Sequence, residues 1–507
     1  MSNKTKIQVI FELVGNFIRN SAYNIGKFFK RLAISFKLMP MWERVIAVLL
    51  TALAVALGVF LIYRSYLYRT VAVPIVGGVY EEAMVGEVKT LNPVLVTTDA
   101  EKSISSLIFP GLISVGSNGE ILPDLAERWE IGKDEKTYTF YLRNGITFDD
   151  GTPLSPSDVS YTVSNILSDS LKSPLAANLK GVTVSYDLDQ NSVTFNLPNS
   201  YGPFIYNCNF GIIPANVDPV TFSKRFTGAG KYKFTKGIQT DNKITQVQLQ
   251  SNSNYYGVAP YIQKLTFDLY TTEASAVAAF GKNRAVSAIF GAEAKDAIDR
   301  SYNSQKELIL FANTRKASLS TKAGREKLFG QTDFDAKATF TITAQDNDIQ
   351  RAVAEKEKAA LQKKNVSIQV RYLSLQDYQA AINSKDFELL VYGYDRGYDR
   401  DPYAFWHSSQ KDLKNFSGYS DKATDILIED ARMLLDVNAR NAKYDQIYAK
   451  LQSEYLYQTF DPIKYKYFVK SEIKAVADVR GNIPGSRFAD ISNWYIMEKR
   501  VKKVSDL

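Results

Sequence analysis

Residues 121–167 read ILPDLAERWEIGKDEKTYTFYLRNGITFDDGTPLSPSDVSYTVSNIL, and this stretch decides the fold of the first part of the chain. Apolar side chains alternate with polar ones from Tyr138 to Leu142, which indicates a strand with one buried face. Asn144-Gly145 then supplies the backbone freedom for a tight turn. Ser155 is placed to cap a helix that begins at Pro156. The segment therefore predicts a strand, a turn, a second strand and a helix.

The segment also belongs to a set of blocks that occur in one order along most of residues 77–495. The blocks are Pro123–Leu154, Asn252–Tyr261, Asp399–Phe405, Asn415–Asp425 and Arg440–Tyr444. Together they resemble the family 5 extracellular solute-binding proteins, which are the peptide and nickel receptors of ABC importers. The resemblance implies a two-lobed α/β clamshell of the periplasmic-binding-protein type (type II, cluster C), with a mixed α+β first lobe.

The domain organisation follows from length, patterning and this resemblance. A chain of 507 residues exceeds one ordinary core, so at least two lobes are expected. Strand and helix patterns alternate after Tyr261, which predicts a largely parallel, doubly wound sheet in the second lobe. The resemblance implies a discontinuous first lobe of residues 77–265 plus 468–507 and a second lobe of residues 266–467. A family helical stretch after Asn313–Lys316 is shortened here, which leaves the size of the pocket wall open.

A hydrophobic segment, VIAVLLTALAVALGVFLI, occupies Val45–Ile62 without a charged residue. Its length suits one membrane span, so we predict an anchor at 45–63 and a stalk at 64–76. Residues 1–44 hold eight basic and two acidic residues, and they predict a cytoplasmic, basic amphipathic tail. A loosely ordered tail is the alternative. The basic region is longer than that of a signal peptide, so we favour an uncleaved anchor with the body outside the cytoplasm.

Charge and composition exclude several classes of function. Six of the eight excess positive charges lie in residues 1–44, so the body is almost neutral and has no nucleic-acid footprint. One cysteine and one histidine, Cys208 and His407, exclude a Cys/His metal cluster, and we expect no cofactor. The sequence has no P-loop, and no nucleophile motif accompanies His407. We therefore expect a binding protein rather than an enzyme.

The predicted ligand site is the loop Tyr392–Trp406, YGYDRGYDRDPYAFW, which follows a strand end. The resemblance implies that an aspartate of this loop pairs with the amino terminus of a peptide. Asp399 is our first choice for this residue and Asp395 our second. A carboxylate suits the role because it binds an ammonium group strongly in a dry cleft. The alternative is that both pair locally with Arg396 and Arg400.

Further contacts are predicted around that loop. Tyr394, Tyr398 and Trp406 are expected to supply flat apolar walls. The resemblance adds Asn92, Thr97 and Thr98 from an early loop that lines the cleft. We therefore predict a monomeric, membrane-anchored receptor that captures short peptides for the permease and ATPase subunits of an ABC importer. The alternatives are a receptor for a nickel chelate, sugar or other small solute, and a sensory or interaction module.

Overall fold

A computed structural model describes most of the chain. The described residues are 27, 34, 36–116, 120–218, 226–240, 243–280, 285–288, 297–330, 338–364, 366–479, 481 and 483–503. They fall into two compact units, residues 1–73 with 498–507 and residues 74–497. Most of the predicted amphipathic tail, residues 1–44, lies outside the described residues.

The first unit is built on one long helix, Met41–Arg69, of which no residue is buried. Among the described residues it is the one helix long and apolar enough to cross a membrane. Thr70–Pro74 then pairs with Glu498–Lys502 in a two-stranded sheet. In the predicted stalk, residues 64–69 are the end of the helix and residues 70–74 form a strand. One boundary is corrected: residues 498–502, which we assigned to the first lobe, belong to the first unit.

Two large sheets form the second unit, one in each lobe. The eight-stranded first sheet runs in the order Ile298–Asp299, Lys464–Val469, Ala285–Ala288, Val79–Val85, Lys264–Tyr270, Lys243–Ser251 and Tyr232–Thr240, with Tyr302–Asn303 also on Lys464–Val469. The second sheet runs Val366–Leu373, Ala338–Gln345, Leu389–Asp395, Lys306–Ala312 and Tyr457–Thr459. The first lobe adds a small sheet, Ala126–Ile131, Thr137–Leu142, Ser192–Asn196 and Thr183–Asp187, and the hairpin Ile113–Val115/Ile121–Pro123.

Helices cover these sheets. The α-helices are Asp99–Ile108, Pro156–Ile166, Glu273–Ala279, Lys322–Phe329, Asp348–Gln362, Leu375–Ser384, Tyr403–Trp406, Lys422–Met433 and Val437–Ser453. The described 3₁₀ turns are Ala176–Leu179, Gly202–Asn209, Ala317–Leu319, Ser408–Gln410, Pro484–Phe488 and Ile491–Asn493. Helical sequence patterns at residues 347–363, 375–382, 421–435 and 438–455 coincide with four of these helices to within two residues at each end.

The opening segment folds largely as its pattern predicts. Its strand forms, and so does the helix Pro156–Ile166, where Ser155 N donates to Asp158 at 2.7 Å. The predicted second strand is wrong, because only an isolated bridge joins Thr147 to Pro153. Phe148 N donates to the Thr152 carbonyl, which closes this stretch into a turn, and proline has no N–H to extend a ladder.

The topology moves the predicted boundary between the lobes. Lys264–Tyr270 pairs in parallel with Val79–Val85, so residue 266 lies inside the first sheet rather than at the start of the second lobe. The chain instead crosses at Ser304 to Lys306 and returns between Thr459 and Lys464. The second sheet is also mixed rather than largely parallel, because Lys306–Ala312 runs antiparallel to both of its neighbours.

A buried ion pair crosses the core of the first lobe. Glu82 is wholly buried, and one of its oxygens accepts from Arg487 Nη2 at 2.9 Å and from Nε at 3.2 Å. The other oxygen accepts from the hydroxyl of Tyr80. Arg487 Nη1 also donates to Ser103 at 3.1 Å and to the Pro484 carbonyl, so the pair ties the turn Pro484–Phe488 to the first sheet.

Candidate functional site

A cavity of about 1080 Å³ lies between the two lobes. The first lobe contributes a wall that includes Pro93, Val96, Lys102, Ser105, Phe109, Tyr201, Tyr206 and Asn209. The second lobe contributes Tyr392, Tyr394, Asp395, Tyr398, Asp399, Asp401, Phe405 and Arg432, among others. The predicted loop at the end of the strand Leu389–Asp395 therefore faces this cavity, and groups of both lobes surround it.

Asp399 has one occupied and one unoccupied carboxylate oxygen. Oδ2 accepts from Arg440 Nε at 2.8 Å, and the arginine side chain is 1% exposed. The same guanidinium donates to the Leu434 carbonyl at 2.6 Å, which fixes its position. Oδ1 is buried and accepts no hydrogen bond that meets the distance and angle limits from a described residue, and the hydroxyl of Tyr444 is likewise buried without a partner. Burial first, and the neighbouring carboxylates Asp401 and Asp399 next, raise the pKa of Tyr444, so its hydroxyl is a second polar group beside Asp399. Because an unsatisfied buried acceptor is costly, Oδ1 of Asp399 is suited to a donor brought by a ligand.

Asp401 accepts hydrogen bonds from three donors. Its Oδ1 accepts from Tyr403 N at 2.9 Å, at the start of the short helix Tyr403–Trp406. Its other oxygen accepts from Arg432 Nε at 2.8 Å and from the hydroxyl of Tyr201 at 3.5 Å. Burial raises the pKa of Asp401, although Arg432 acts in the opposite direction. Asp401 therefore has little capacity left for a ligand.

The local arginines do not pair with Asp395 or Asp399. Arg396 instead forms an ion pair with Glu307 at 2.9 Å, and Arg400 forms one with Asp445 at 2.8 Å. Asp395 is exposed, accepts from Gly397 N at 3.1 Å and makes no ion pair with a described residue. The alternative of local pairing with Arg396 and Arg400 is therefore not what the structure contains.

Aromatic rings form two of the cavity walls. Tyr398 stacks on Tyr206 of the other lobe, with ring centroids 5.7 Å apart and an interplanar angle of 20°. Tyr394 donates to Glu307 at 3.1 Å and packs on the ring of Phe405. Burial raises the pKa of Tyr206, Tyr398 and Tyr394, so these hydroxyls stay protonated at neutral pH.

Trp406 does not take the role predicted for it. Its side chain is 2% exposed and packs on Phe311 and Tyr457, inside the core of the second lobe. The short helix Tyr403–Trp406 turns the indole away from the cavity, so this residue stabilises the lobe rather than lining the cleft.

Asn92, Thr97 and Thr98 likewise serve the fold rather than the cavity wall. Asn92 is 1% exposed and its Oδ1 accepts from Val94 N at 3.2 Å. Thr97 N and Thr98 N both donate to Glu101 Oε2, at 2.8 and 3.0 Å. Neighbours of these residues, rather than the residues themselves, reach the cavity. The loop contacts the site as predicted, but through other side chains.

Glu101 organises this loop and is itself 1% exposed. Its carboxylate accepts from the backbone N–H groups of Lys89, Thr90, Thr97 and Thr98. Burial opposes its ionisation, but these hydrogen bonds outweigh burial and lower the pKa of Glu101.

Replacing Glu101 with alanine is expected to cost about 1 to 3 kcal/mol of stability, because four backbone donors lose their acceptor. Since the folded-state pKa is depressed, the stabilisation is present above the unfolded-state pKa of about 4.3 and is lost as pH falls through the folded value. Denaturant titrations at pH 7 and pH 3 test this. A stability difference between wild type and Glu101→Ala that is as large at pH 3 as at pH 7 would contradict the assignment.

Several lining residues were not predicted from the sequence. Tyr201, Tyr206 and Asn209 lie on or beside a 3₁₀ turn, Gly202–Asn209, whose pattern carries no clear periodicity. Arg432 lies near the end of a helix, lines the cavity and contacts Asp401 and the rings of Tyr201 and Tyr403, the rings 4.8 and 4.1 Å away. Such long-range partners leave no local signal in the sequence.

His407 fixes the loop that follows the short helix. Nδ1 is 2.8 Å from Ser409 Oγ and accepts from Ser409 N at 3.1 Å, while Nε2 lies 3.1 Å from Glu429. The ring stacks on Tyr403. These contacts give His407 a structural role in this loop.

The fold is that of a two-lobed binding protein with a cavity between its lobes. Residues 120–322 match the family described as bacterial extracellular solute-binding proteins, family 5 Middle. The resemblance predicted from the sequence is confirmed by this match.

Named relatives and solved structures agree with this assignment. Protein XP55 of Streptomyces lividans is 30% identical over 187 residues, which cover 36% of this chain and 33% of that protein. The oligopeptide-binding protein AppA of Bacillus subtilis is 22% identical, over 83% of this chain and 92% of AppA. The structure of the ABC transporter substrate-binding protein CtaP of Listeria monocytogenes superposes with a TM-score of 0.70 at 20% identity, covering 83% of this chain and 99% of CtaP.

Proposed function

We propose that this protein is a membrane-anchored receptor that captures short peptides outside the cytoplasm and delivers them to an ABC permease. The family assignment supports the capture of a solute, and the relative AppA is named an oligopeptide-binding protein. The helix Met41–Arg69 supports the membrane anchor. We propose further that the protein acts as a monomer without catalytic activity, and that the basic residues before the helix keep the amino terminus in the cytoplasm.

The observation that carries the peptide assignment is the unoccupied oxygen of Asp399. Asp399 lines a cavity with aromatic walls, where an ammonium group that reaches its carboxylate gains a charge-assisted hydrogen bond in surroundings of low dielectric. Asp399 is already paired with Arg440, so the ligand adds a positive charge to a neutral pair. Asp395 is exposed and makes no ion pair with a described residue, and it supplies the compensating negative charge nearby.

The cavity size favours an extended chain of a few residues. Sites for small molecules usually occupy about 300 to 1,000 Å³, and this cavity exceeds the upper end of that range. The stacked rings of Tyr206 and Tyr398 offer flat faces that accept many kinds of side chain. A peptide would therefore be selected chiefly by its amino terminus and only weakly by its sequence.

Capture requires that the ligand favours the arrangement in which the lobes meet. The lobes are joined at the crossing, where Ser304 N donates to the Ile463 carbonyl at 2.8 Å. They also meet beyond the cavity, where Ser200 Oγ lies 3.4 Å from the Met433 carbonyl. A ligand that touches both lobes binds this arrangement more tightly than an open one, and that difference in affinity is what drives closure.

Replacing Gly202 with alanine is expected to weaken peptide binding by about tenfold or more, equivalent to about 1.4 kcal/mol. A Cβ at Gly202 would lie 1.9 Å from the Leu434 carbonyl oxygen of the other lobe, so the meeting of the lobes is disfavoured and the binding-competent fraction falls. Gly237→Ala is the matched control, because its Cβ would have no neighbour nearer than 3.7 Å. The peptide affinities of the two variants are measured by calorimetry. Equal affinities for Gly202→Ala and Gly237→Ala would contradict closure at this contact.

The identity of the captured solute is tested by mass spectrometry of protein purified from its native membranes. The proposal predicts that short peptides with free amino termini are released on denaturation. A bound nickel chelate or sugar would contradict the peptide assignment while keeping the receptor. An empty cavity together with a stable partner other than a permease would contradict both and favour an interaction module.

A further inference from the structure

A basic patch surrounds the carboxyl end of the helix Met41–Arg69, and peptide capture does not explain it. The patch, here termed the basic collar, consists of Arg64, Arg69, Lys499, Arg500, Lys502 and Lys503. All six side chains are exposed, and none forms an ion pair with a described residue. Glu498 is the one acidic residue of the described part of both strands. The collar therefore carries a strong local excess of positive charge.

Two segments far apart in the sequence assemble the collar. Lys503 N donates to the Arg69 carbonyl at 2.9 Å, and Arg500 donates to the carbonyls of Leu67 and Thr70 at 3.2 and 3.0 Å. Arg500 Nε also donates to Thr70 Oγ1 at 2.9 Å. These bonds satisfy carbonyls that a helix end leaves without partners. They hold the three lysines of the strand Glu498–Lys502 and its end beside the last helical turn.

Tyrosines accompany these charges. Tyr63, Tyr66 and Tyr68 are all exposed on the last turns of the helix. The ammonium of Lys503 lies 5.2 Å from the centre of the Tyr68 ring, and the guanidinium of Arg500 lies 5.9 Å from that of Tyr66. Tyrosine is typical of the membrane interface, where its ring meets acyl chains and its hydroxyl meets water.

The position along the helix matches the headgroup layer of a bilayer. The apolar run Val45–Ile62 rises about 27 Å, close to the roughly 30 Å of a hydrocarbon core. From Ile62 to Arg69 the helix rises about 10 Å, and a headgroup layer is about 5 to 8 Å thick. Arg64 would thus lie within the layer, and Arg69 and the strand pair just beyond its outer edge, where long basic side chains can still reach back to it.

We propose that the basic collar binds the phosphate groups of anionic phospholipids in the outer leaflet. The collar offers exposed cations within and just outside the layer that holds the lipid phosphates, and interfacial rings beside them. A protein partner with an acidic surface is the other possible occupant. The lipid is favoured because the helix that carries the collar is itself the candidate membrane span. The proposal depends on that span and is independent of which solute the cavity binds.

The test uses the full chain inserted into vesicles of phosphatidylcholine alone or of an equimolar mixture with phosphatidylglycerol. After gentle detergent extraction, the lipids that remain bound are counted by native mass spectrometry. The test variant is Lys499→Gln/Lys502→Gln/Lys503→Gln. The matched control, Lys133→Gln/Lys180→Gln/Lys236→Gln, removes the same charge from exposed positions outside the collar.

We expect the wild type and the control to retain phosphatidylglycerol over phosphatidylcholine by about fivefold or more, and the collar variant to lose most of this preference. The preference should also weaken at high salt. Equal retention of the two lipids by the wild type would overturn the proposal. The proposal would also be overturned if the collar variant kept its lipid preference but no longer associated with the permease. The collar would then be a protein-docking surface. Peptide affinity, measured on the same samples, reports separately on the cavity.

Discussion

Asp399→Asn is expected to weaken the binding of peptides with free amino termini by about 2 to 5 kcal/mol and to leave amino-blocked peptides almost unaffected. The carboxylate Oδ1 is the buried acceptor that the ammonium would satisfy, and the substitution removes the charge that strengthens this bond. The affinity ratio of free and acetylated forms of one peptide is the quantity to measure, by calorimetry. Because both forms meet the same variant, the ratio is insensitive to its stability.

Asp401→Asn is the matched control for that experiment. Asp401 also forms an ion pair with an arginine, the partly buried Arg432, but both of its oxygens already accept from Tyr403, Arg432 and Tyr201. This variant should lose stability and keep the preference for free amino termini. If Asp399→Asn keeps that preference as well, Asp399 does not bind the amino terminus, and the exposed Asp395 becomes the carboxylate to test.

Glu82→Ala is expected to cost about 3 to 5 kcal/mol of unfolding free energy, the largest stability effect that we anticipate. The substitution leaves Arg487 charged and buried, with its pKa raised by Glu82 in the native state against the opposing effect of burial. Arg487 also holds the Pro484 carbonyl, and Ile483, Pro484 and Gly485 line the cavity. Peptide affinity should therefore fall together with stability. Denaturant titration and calorimetry measure the two effects.

The double variant Glu82→Leu/Arg487→Met distinguishes the cost of an unpaired buried charge from the cost of altered packing. Replacing both charges with apolar groups of similar size removes the unpaired charge as well as the bond, so it should cost less than Glu82→Ala alone. A double variant that is less stable than either single variant would show that packing around these side chains, rather than an orphaned charge, sets the cost.

Local patterns predicted the elements of this fold well. The capped helix at Pro156 and the strand before it follow from short-range signals, as do the long helices of the second lobe. The boundary between the lobes was not predictable in this way, because Lys264–Tyr270 has the pattern of a strand in either sheet. Its membership depends on pairing with Val79–Val85, far away in the sequence. The pairing of Thr70–Pro74 with the carboxyl-terminal strand is hidden for the same reason.

The sequence predicted which loop forms the site, but not which side chains contact one another there. Tyr394 and Asp395 end a strand and Tyr398 and Asp399 follow it, and all four line the cavity. Trp406 follows the same loop, yet a single helical turn rotates it into the core. The partners of the aspartates come from helices tens of residues later, so residue order could not identify Arg440 and Arg432.

Calorimetric titration of the full chain with one short peptide, in free and amino-acetylated forms, tests the central claim most directly. We predict saturable binding at one site per chain for the free form, a negative heat-capacity change from burial of the ligand between the lobes, and a much weaker acetylated form. Absence of binding for every peptide of two to eight residues, or equal affinity for the two forms, would contradict a cleft that captures peptides by their amino terminus.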